Sequence, residues 1–257
     1  MGTQTTAAVL DYLRSRAPDF FAERVRSATD ADVARLEQAA GVRMSEGHRE
    51  FLRVMGNTPA GVLNPFVNDR DFSIDNLIAE YASMRTQGFV IPKGFVYFSS
   101  SEITGSTIFL KQADEPTADP EIGDLAPDTR RFIPHDAQHF EAFLRWHAFH
   151  FRMNQLDEEL LVGPRWDPKT ARWEADLERS RDAVLAEGFE PVFGVPESYC
   201  EYFEDDGIAI ALYHAGGMAV AGDDPEVLRS RAEALAGPLG VTSERVPGRT
   251  RLRAPRD

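Results

Sequence analysis

The spacing of hydrophobic residues changes along this chain, and that change constrains the fold more than any other feature. Up to about residue 85, apolar side chains recur every three or four positions, as in helices that bury one face. From Phe95 onward, short runs of β-prone residues alternate with glycine-containing turns. Helices followed by closely spaced strands predict a chain that contains both helices and an antiparallel hairpin or meander.

Capping residues predict where the first helices begin and end. Thr29, with Asp32 three positions later, begins a helix that Gly41 ends. Ser45 caps a second helix, which stops at Gly56-Asn57. A third helix is predicted over about residues 75–85, where apolar residues again recur at helical spacing.

The middle of the chain is predicted to form a hairpin followed by one long helix. Residues 95–98 and 107–110 are the hairpin strands. The acidic, proline-rich stretch 114–128 is predicted to be a loop, and 131–133 a short returning strand. Asp136 is expected to cap a helix that runs to about Met153.

That long helix carries aromatic residues on more than one side, so it is expected to be buried all round. We place it between the core of a first domain and a second domain. Gly163-Pro164 marks the expected boundary, which divides the chain into residues 1–163 and a smaller α+β domain, residues 164–257.

The second domain is expected to combine two helices with a hairpin-rich sheet. Asp205-Asp206-Gly207 is a strong hairpin signal, and Asp224 followed by Pro225 is a helix start. The predicted elements are a helix over 167–187, strands over 191–193, 198–204, 208–214 and 218–221, a helix from 225 that Gly237-Pro238 ends, and an edge strand over 241–246.

Charge and cysteine content narrow the functional classes. The net charge is −14, from 42 acids against 28 bases, and it repels phosphate backbones, so we expect no direct nucleic-acid ligand. The single cysteine, Cys200, forms no intramolecular disulfide, which favours a reducing, cytoplasmic location. Neither a signal peptide at residues 1–16 nor a membrane-spanning stretch is expected.

The acids are unevenly distributed, and this distribution suggests a binding surface. Between Arg181 and Arg229 there are eleven acids and no Lys or Arg, whereas the C-terminal tail is rich in arginine. A solvated face is the alternative for any such charge run. The residues predicted to bind a partner are Asp114, Glu115, Asp119, Glu121, Asp124, Glu201, Glu204, Asp205 and Asp206.

Four histidines between His135 and His150 raise the question of a metal site. His139 and His150 would lie about 16 Å apart along a helix, too far to share an ion. His147 and His150 have aromatic neighbours and no acid or cysteine at ligand spacing, so packed core histidines are the favoured interpretation. We therefore predict no metal ligand.

Other candidate catalytic groups have structural interpretations. Cys200 is flanked by an acid in a predicted strand, which favours a half-buried structural cysteine. Gly216-Gly217 lacks the spacing of a phosphate-binding loop, and Ser99 to Ser101 lacks a nucleophile motif. Asp205-Asp206 and Asp223-Asp224 fit turn and cap roles. The sequence thus predicts no catalytic residue and no cofactor.

Residues of the first domain resemble those of the SUKH superfamily, which includes a yeast cell-wall regulator and many bacterial immunity proteins. The resemblance spans about Thr29 to Met153. It rests on Asp32, Leu36, Glu37, Gly41, Val42 and Met44, on His48 to Leu52 with Gly56-Asn57, and on Gly105-Ser106, Ile108 to Leu110, Pro120 to Ile122, Phe140, Phe143 and Leu144. The family often has proline where Ser45 stands, an aromatic residue where His48 stands, and acids near Ser106 and Lys111.

The resemblance implies an α+β fold in which helices pack on a small antiparallel sheet. It also implies a binding scaffold and transfers no catalytic residue. For bacterial members it implies an immunity protein that neutralises a cognate toxin by direct binding and occlusion of its active site. An acidic surface would suit a toxin with a basic active-site face. Two alternatives stay open: a non-catalytic regulatory or scaffold protein, and an enzyme that uses the unrecognised second half.

Overall fold

A computed structural model describes residues 6–58, 73–100, 107–115, 117–126, 129–163, 177–193, 200–213 and 217–245. Within these residues the chain is α+β, with eight helices and two antiparallel sheets. It divides into two compact units, residues 1–148 and 149–257. The predicted fold class is confirmed at this level.

The first unit begins with five helices and continues with a four-stranded sheet in the order β1-β2-β3-β4. The elements are α1 (Thr6–Arg16), α2 (Pro18–Glu23), α3 (Asp30–Ala40), α4 (Glu46–Met55), α5 (Ile74–Thr86), β1 (Phe95–Ser100), β2 (Thr107–Lys111), β3 (Glu121–Leu125) and β4 (Phe132–His139), followed by α6 (Phe140–Gln155).

Local capping chemistry begins and ends α3 and α4 as predicted. The Thr29 hydroxyl accepts a hydrogen bond from the Asp32 N–H, and the Asp32 carboxylate accepts one from the Thr29 N–H, which completes a capping box. Gly41 ends α3 in the left-handed conformation, at φ 70°. The Ser45 hydroxyl accepts from the His48 N–H at the start of α4.

An aromatic cluster forms the core between the helices and the first sheet. The rings of Phe51 and Phe98 meet Phe140 at 5.7 and 5.4 Å, in edge-to-face geometry. All three side chains are fully buried. This core fixes α4 and the first half of α6 on one face of the sheet.

The second unit is a six-stranded antiparallel sheet in the order β10-β5-β9-β8-β7-β6. Two helices, α7 and α8, share a core with it that includes Val184, Phe203, Ile210 and Leu228. Its elements are β5 (Glu158–Gly163), α7 (Leu177–Ala186), β6 (Glu190–Pro191), β7 (Cys200–Asp205), β8 (Ile208–Tyr213), β9 (Met218–Gly222), α8 (Pro225–Leu239) and β10 (Thr242–Arg245).

Two predictions about the middle of the chain are wrong. Part of the stretch predicted to be a loop is strand β3, which pairs with β2 and β4. Asp136 lies within β4 and does not cap α6. Instead, the carboxylate of Asp119 accepts from the Glu141 N–H at 3.1 and 3.3 Å, so the cap comes from a residue distant in sequence.

The predicted end of the last helix is also wrong, because α8 continues through Gly237-Pro238 to Leu239. Gly240 closes it at φ 68°, and the Val241 N–H bonds to the Ala236 carbonyl at 3.2 Å. These are the contacts of a Schellman motif, which satisfies carbonyl groups in the last turn of α8.

The units divide inside α6, earlier than the predicted boundary at Gly163-Pro164. The physical reason is that β5 pairs with both β9 and β10, which places residues 158–163 in the sheet of the second unit. The first part of the helix predicted over 167–187 lies outside the described residues, which show α7 from Leu177.

Candidate partner-binding surface

Glu201, predicted at a surface, is held inside the second unit. It shares a face of β7 with Phe203, which belongs to the core beneath α7 and α8. The Arg181 Nε donates to one carboxylate oxygen at 2.7 Å, and Nη2 donates to the other. Because the Glu201 side chain is only 8% exposed, this bidentate pair serves to join α7 to the sheet.

Glu204 has a similar internal role on the opposite face of β7. Its carboxylate accepts from the Arg152 Nε at 3.2 Å, and its side chain is 7% exposed. Arg231 pairs with two further acids. Its Nη2 lies 3.6 Å from the Asp205 carboxylate, and its Nη1 lies 3.3 Å from the Glu187 carboxylate. The stretch without bases in the sequence is therefore partly neutralised in space by three arginines from outside it.

Asp206 is exposed, because it forms the tip of the predicted hairpin. Asp205 pairs with Ile208 in the register of β7 and β8, which leaves a two-residue loop. Asp206 and Gly207 have φ values of 40° and 82°, as a type I′ turn requires. The hairpin prediction is confirmed at this turn.

The strand register gathers further acids around that turn. Gly222, at the end of β9, pairs with Ile208 and with Glu158, and Glu190 pairs with Glu204. One end of the second sheet thus collects the acids of four chain segments. We call this the acidic end; it comprises Glu158, Glu190, Asp205, Asp206, Asp223 and Asp224.

The residues predicted to bind a partner did not include Glu158, Glu190, Asp223 or Asp224, because these acids lie in separate strands and turns that only the sheet register brings together. Asp223 and Asp224 were predicted as turn and cap residues, and they do have those roles. The Asp223 carboxylate accepts from the Asp157 N–H at 3.0 Å, and Asp224 accepts from two N–H groups in the first turn of α8. Both residues are nonetheless exposed to solvent.

The acids predicted to bind a partner in the first unit differ in exposure and in their hydrogen-bond or ion-pair partners. Asp114 and Glu115 are exposed in the turn after β2. Glu121 bonds to Lys111 at 2.5 Å, and Asp124 lies 3.2 Å from the His135 Nε2. Asp119 caps α6, as described above. These five residues therefore do not form one continuous carboxylate surface.

Glu141 is an unpredicted acid with unusual electrostatics. Burial, together with the nearby Asp119 carboxylate, raises the pKa of Glu141 to about 7. Two groups act to lower the same pKa: Arg145, whose Nη1 lies 3.9 Å from the Glu141 carboxylate, and the Thr6 N–H. No sequence signal distinguishes Glu141, because an acid in the first turn of a helix is ordinary.

His48 is fully buried, and neither ring nitrogen has a hydrogen-bond partner. Its ring lies 5.3 Å from Phe140 and 6.0 Å from Phe98. Burial lowers the pKa of His48 to about 3, so the ring is neutral at physiological pH. The His48 side chain occupies a site that suits an aromatic hydrocarbon.

The histidines of α6 and its surroundings are in packed positions. The His147 ring lies 4.2 Å from Phe143, and the His150 Nε2 lies 3.3 Å from the Tyr213 hydroxyl. Within the described ranges, no three His, Cys, Asp or Glu side chains come together to hold a metal ion.

Among the residues that the structure describes, the candidate nucleophiles Cys200, Ser99 and Ser100 lie in packed positions. Cys200 is completely buried, beyond the half-burial predicted, and its thiol faces the Glu201 carbonyl at 3.7 Å. Ser99 is buried as well, and the Ser100 hydroxyl accepts from the Tyr97 hydroxyl at 3.0 Å. Ser101 and Gly216 lie outside the described residues.

Comparison with protein-family models, with curated proteins and with solved structures gave no match. The SUKH resemblance stays a prediction that rests on the residues quoted above. Among the described residues, no helix is long and apolar enough to cross a membrane.

Proposed function

We propose that this protein is an immunity protein, which binds a cognate toxin and occludes its active site. The proposal combines the SUKH resemblance of the first unit with one structural observation, the acidic end of the second sheet. The order of elements from α3 to α6 is compatible with that resemblance, because helices precede the hairpin and one long helix follows the sheet.

The acidic end supports binding to a basic partner. Glu190, Asp206, Asp223 and Asp224 are all exposed at the same end of a hydrogen-bonded sheet. A two-residue hairpin turn positions Asp206, and hydrogen bonds to backbone N–H groups position Asp223 and Asp224, so little conformational entropy is lost when these carboxylates meet cations. Complementary charge accelerates encounter and disfavours acidic competitors.

Co-expression with the product of the adjacent gene tests the proposal directly. An immunity protein should relieve the growth defect caused by that product and should co-purify with it in a stoichiometric complex. An adjacent product that is harmless alone, but still co-purifies, would favour the scaffold alternative. Absence of both rescue and co-purification would contradict the proposal.

Neutralising exposed acids tests whether the acidic end makes the contact. The variant E190Q/D206N/D223N removes three charges of the acidic end; asparagine tolerates the left-handed backbone at position 206, and its side-chain oxygen at position 223 can still accept from the Asp157 N–H. Association with the partner should slow about three- to tenfold at low salt and depend less on salt. The control E23Q/E178Q/E233Q removes three exposed acids outside this region, with the same change in net charge. Equal rates for both variants would exclude the acidic end from the interface.

A second variant examines the acids predicted in the first unit. D114N/E115Q neutralises two exposed carboxylates in the turn after β2. Slower association for this variant would assign part of the interface to the first unit. If its association matches that of the wild type, the predicted contact by these two residues is wrong.

A further inference from the structure

The first sheet carries partly exposed phenylalanine rings on the face opposite to the one that packs on α4 and α6. Phe95 and Phe132 are partly exposed there, and their rings lie 5.3 Å apart. Phe89, which precedes β1, stacks on the buried Phe109 of β2 at 6.3 Å. We call Phe89, Phe95, Phe109 and Phe132 the aromatic face.

The strand arrangement explains how these rings meet. Phe95 and Phe132 belong to β1 and β4, the two outer strands, so their rings meet across the two inner strands. Gly123 of β3 permits the contact: an added Cβ there would lie 2.9 Å from the Phe132 ring. The missing side chain leaves space for that ring over the centre of the sheet.

Two cations lie over rings of the aromatic face. The Lys111 ammonium is 5.8 Å from the Phe132 centroid, and the Arg130 guanidinium is 6.0 Å from that of Phe89. Arg130 has a φ of 53°, an uncommon conformation for arginine. Backbone bonds from Ala126 to Arg131 and from Arg130 to Ala126 hold this turn in place.

The surface is therefore both apolar and basic, in a chain of net charge −14. Val90, the sequence neighbour of Phe89, is an exposed apolar residue, with 60% of its surface accessible. Lys93 and Arg131, both exposed, are sequence neighbours of its members, and Glu121 is the acid bonded to Lys111. Aromatic residues and arginine are enriched at protein interfaces.

We infer that the aromatic face binds an acidic peptide segment of a partner protein, one that carries apolar side chains between its carboxylates. The apolar side chains would pack on Phe95 and Phe132, and carboxylates would meet Lys111 and Arg130. This inference does not depend on the proposed function, because that proposal concerns a basic partner and the other unit.

Charge favours an acidic peptide over nucleic acid. Stacking rings beside cations also suit single-stranded nucleic acid, but the net charge of the chain repels a long phosphate backbone. A short acidic segment carries fewer charges, and its apolar side chains match the rings.

The test uses full-length protein labelled with ¹³C-phenylalanine and a short synthetic peptide that alternates glutamate with leucine. Addition of the peptide should shift the ring signals of Phe89, Phe95 and Phe132 and leave those of the buried Phe51 unchanged. Replacing the glutamates by glutamine should weaken binding at least about threefold. Equal binding of the two peptides, or no shift of the three rings, would overturn the inference.

Charge removal on the protein gives a second, independent readout. The variant K111Q/R130N should bind the glutamate–leucine peptide about three- to tenfold more weakly than the wild type does. The control R43Q/R229Q removes two exposed arginines elsewhere and should bind as the wild type does. Equal loss in both variants would overturn the inference. Ring shifts that a short oligouridylate causes and the peptide does not would also overturn it, because they indicate nucleic-acid binding. Ring shifts that depend only on protein concentration would overturn it too, because they indicate binding to a second copy of the chain.

Discussion

Replacement of His48 by phenylalanine provides a quantitative test of the core of the first unit. The imidazole is fully buried beside Phe98 and Phe140, with both ring nitrogens unpaired. Leaving a buried polar group unsatisfied costs about 1–3 kcal/mol. The slightly larger ring causes some overpacking, so we expect a net gain in unfolding free energy of about 1 kcal/mol at pH 7.5.

The pH dependence is more diagnostic than that gain. The pKa of His48 is about 3 in the folded protein against 6.5 for an ordinary histidine. Below pH 6.5 the unfolded chain therefore binds a proton that the folded chain does not, and stability falls with acidification. Between pH 7.5 and pH 5 this loss is about 2 kcal/mol. His48→Phe removes it.

The assay is urea unfolding of wild type and variant at pH 7.5 and pH 5, followed by circular dichroism. The difference in unfolding free energy between the phenylalanine variant and the wild type should be about 2 kcal/mol larger at pH 5 than at pH 7.5. Other titrating groups are common to both proteins and cancel in this difference. His139→Phe places the same ring at an exposed position and measures the effect of the substitution alone. A stability difference that is the same at both pH values would refute the assignment of His48 as a buried neutral imidazole.

Three further substitutions test other contacts by the same unfolding measurement. Glu141 has a pKa of about 7, above the ordinary 4.5, so its contribution to stability is fully present below pH 4.5 and is lost as the pH rises from 4.5 to 7. The unfolding free energy of Glu141→Gln should therefore rise by about 2.5 kcal/mol relative to wild type between pH 5 and pH 8, and no such rise would contradict the pKa assignment. Glu201→Gln breaks the bidentate pair with Arg181 and should cost about 2–3 kcal/mol, whereas a cost below about 0.5 kcal/mol would show that the pair is dispensable. Gly123→Ala would place a Cβ 2.2 Å from the Ile133 carbonyl oxygen and should cost at least about 2 kcal/mol; a stable variant would contradict the close approach of β3 and β4.

The candidate site was only partly predictable from sequence. The stretch between Arg181 and Arg229 does contain an exposed acidic turn, as predicted. However, a run of acids does not reveal which members face arginines from distant elements. Glu201 and Glu204 are internal for that reason, whereas the exposed Glu190 entered the acidic end only through its pairing with Glu204.

The sequence alone determined the features whose stabilising contacts all lie within a few residues of one another along the chain. The capping box at Thr29, the type I′ turn at Asp206-Gly207 and the helix start at Asp224-Pro225 are of this kind. In each, the side chain or the φ angle that satisfies the backbone lies within about one turn of chain, so no distant contact is needed.

Only the tertiary structure decided the features that join distant residues. Asp119 caps α6 from the loop before β3, β3 forms by pairing on both sides, and His48 is enclosed by rings from β1 and α6. Burial and strand pairing depend on which segments meet, and local propensity carries no information about that choice. The same holds for the aromatic face, where rings from the two outer strands of the sheet meet.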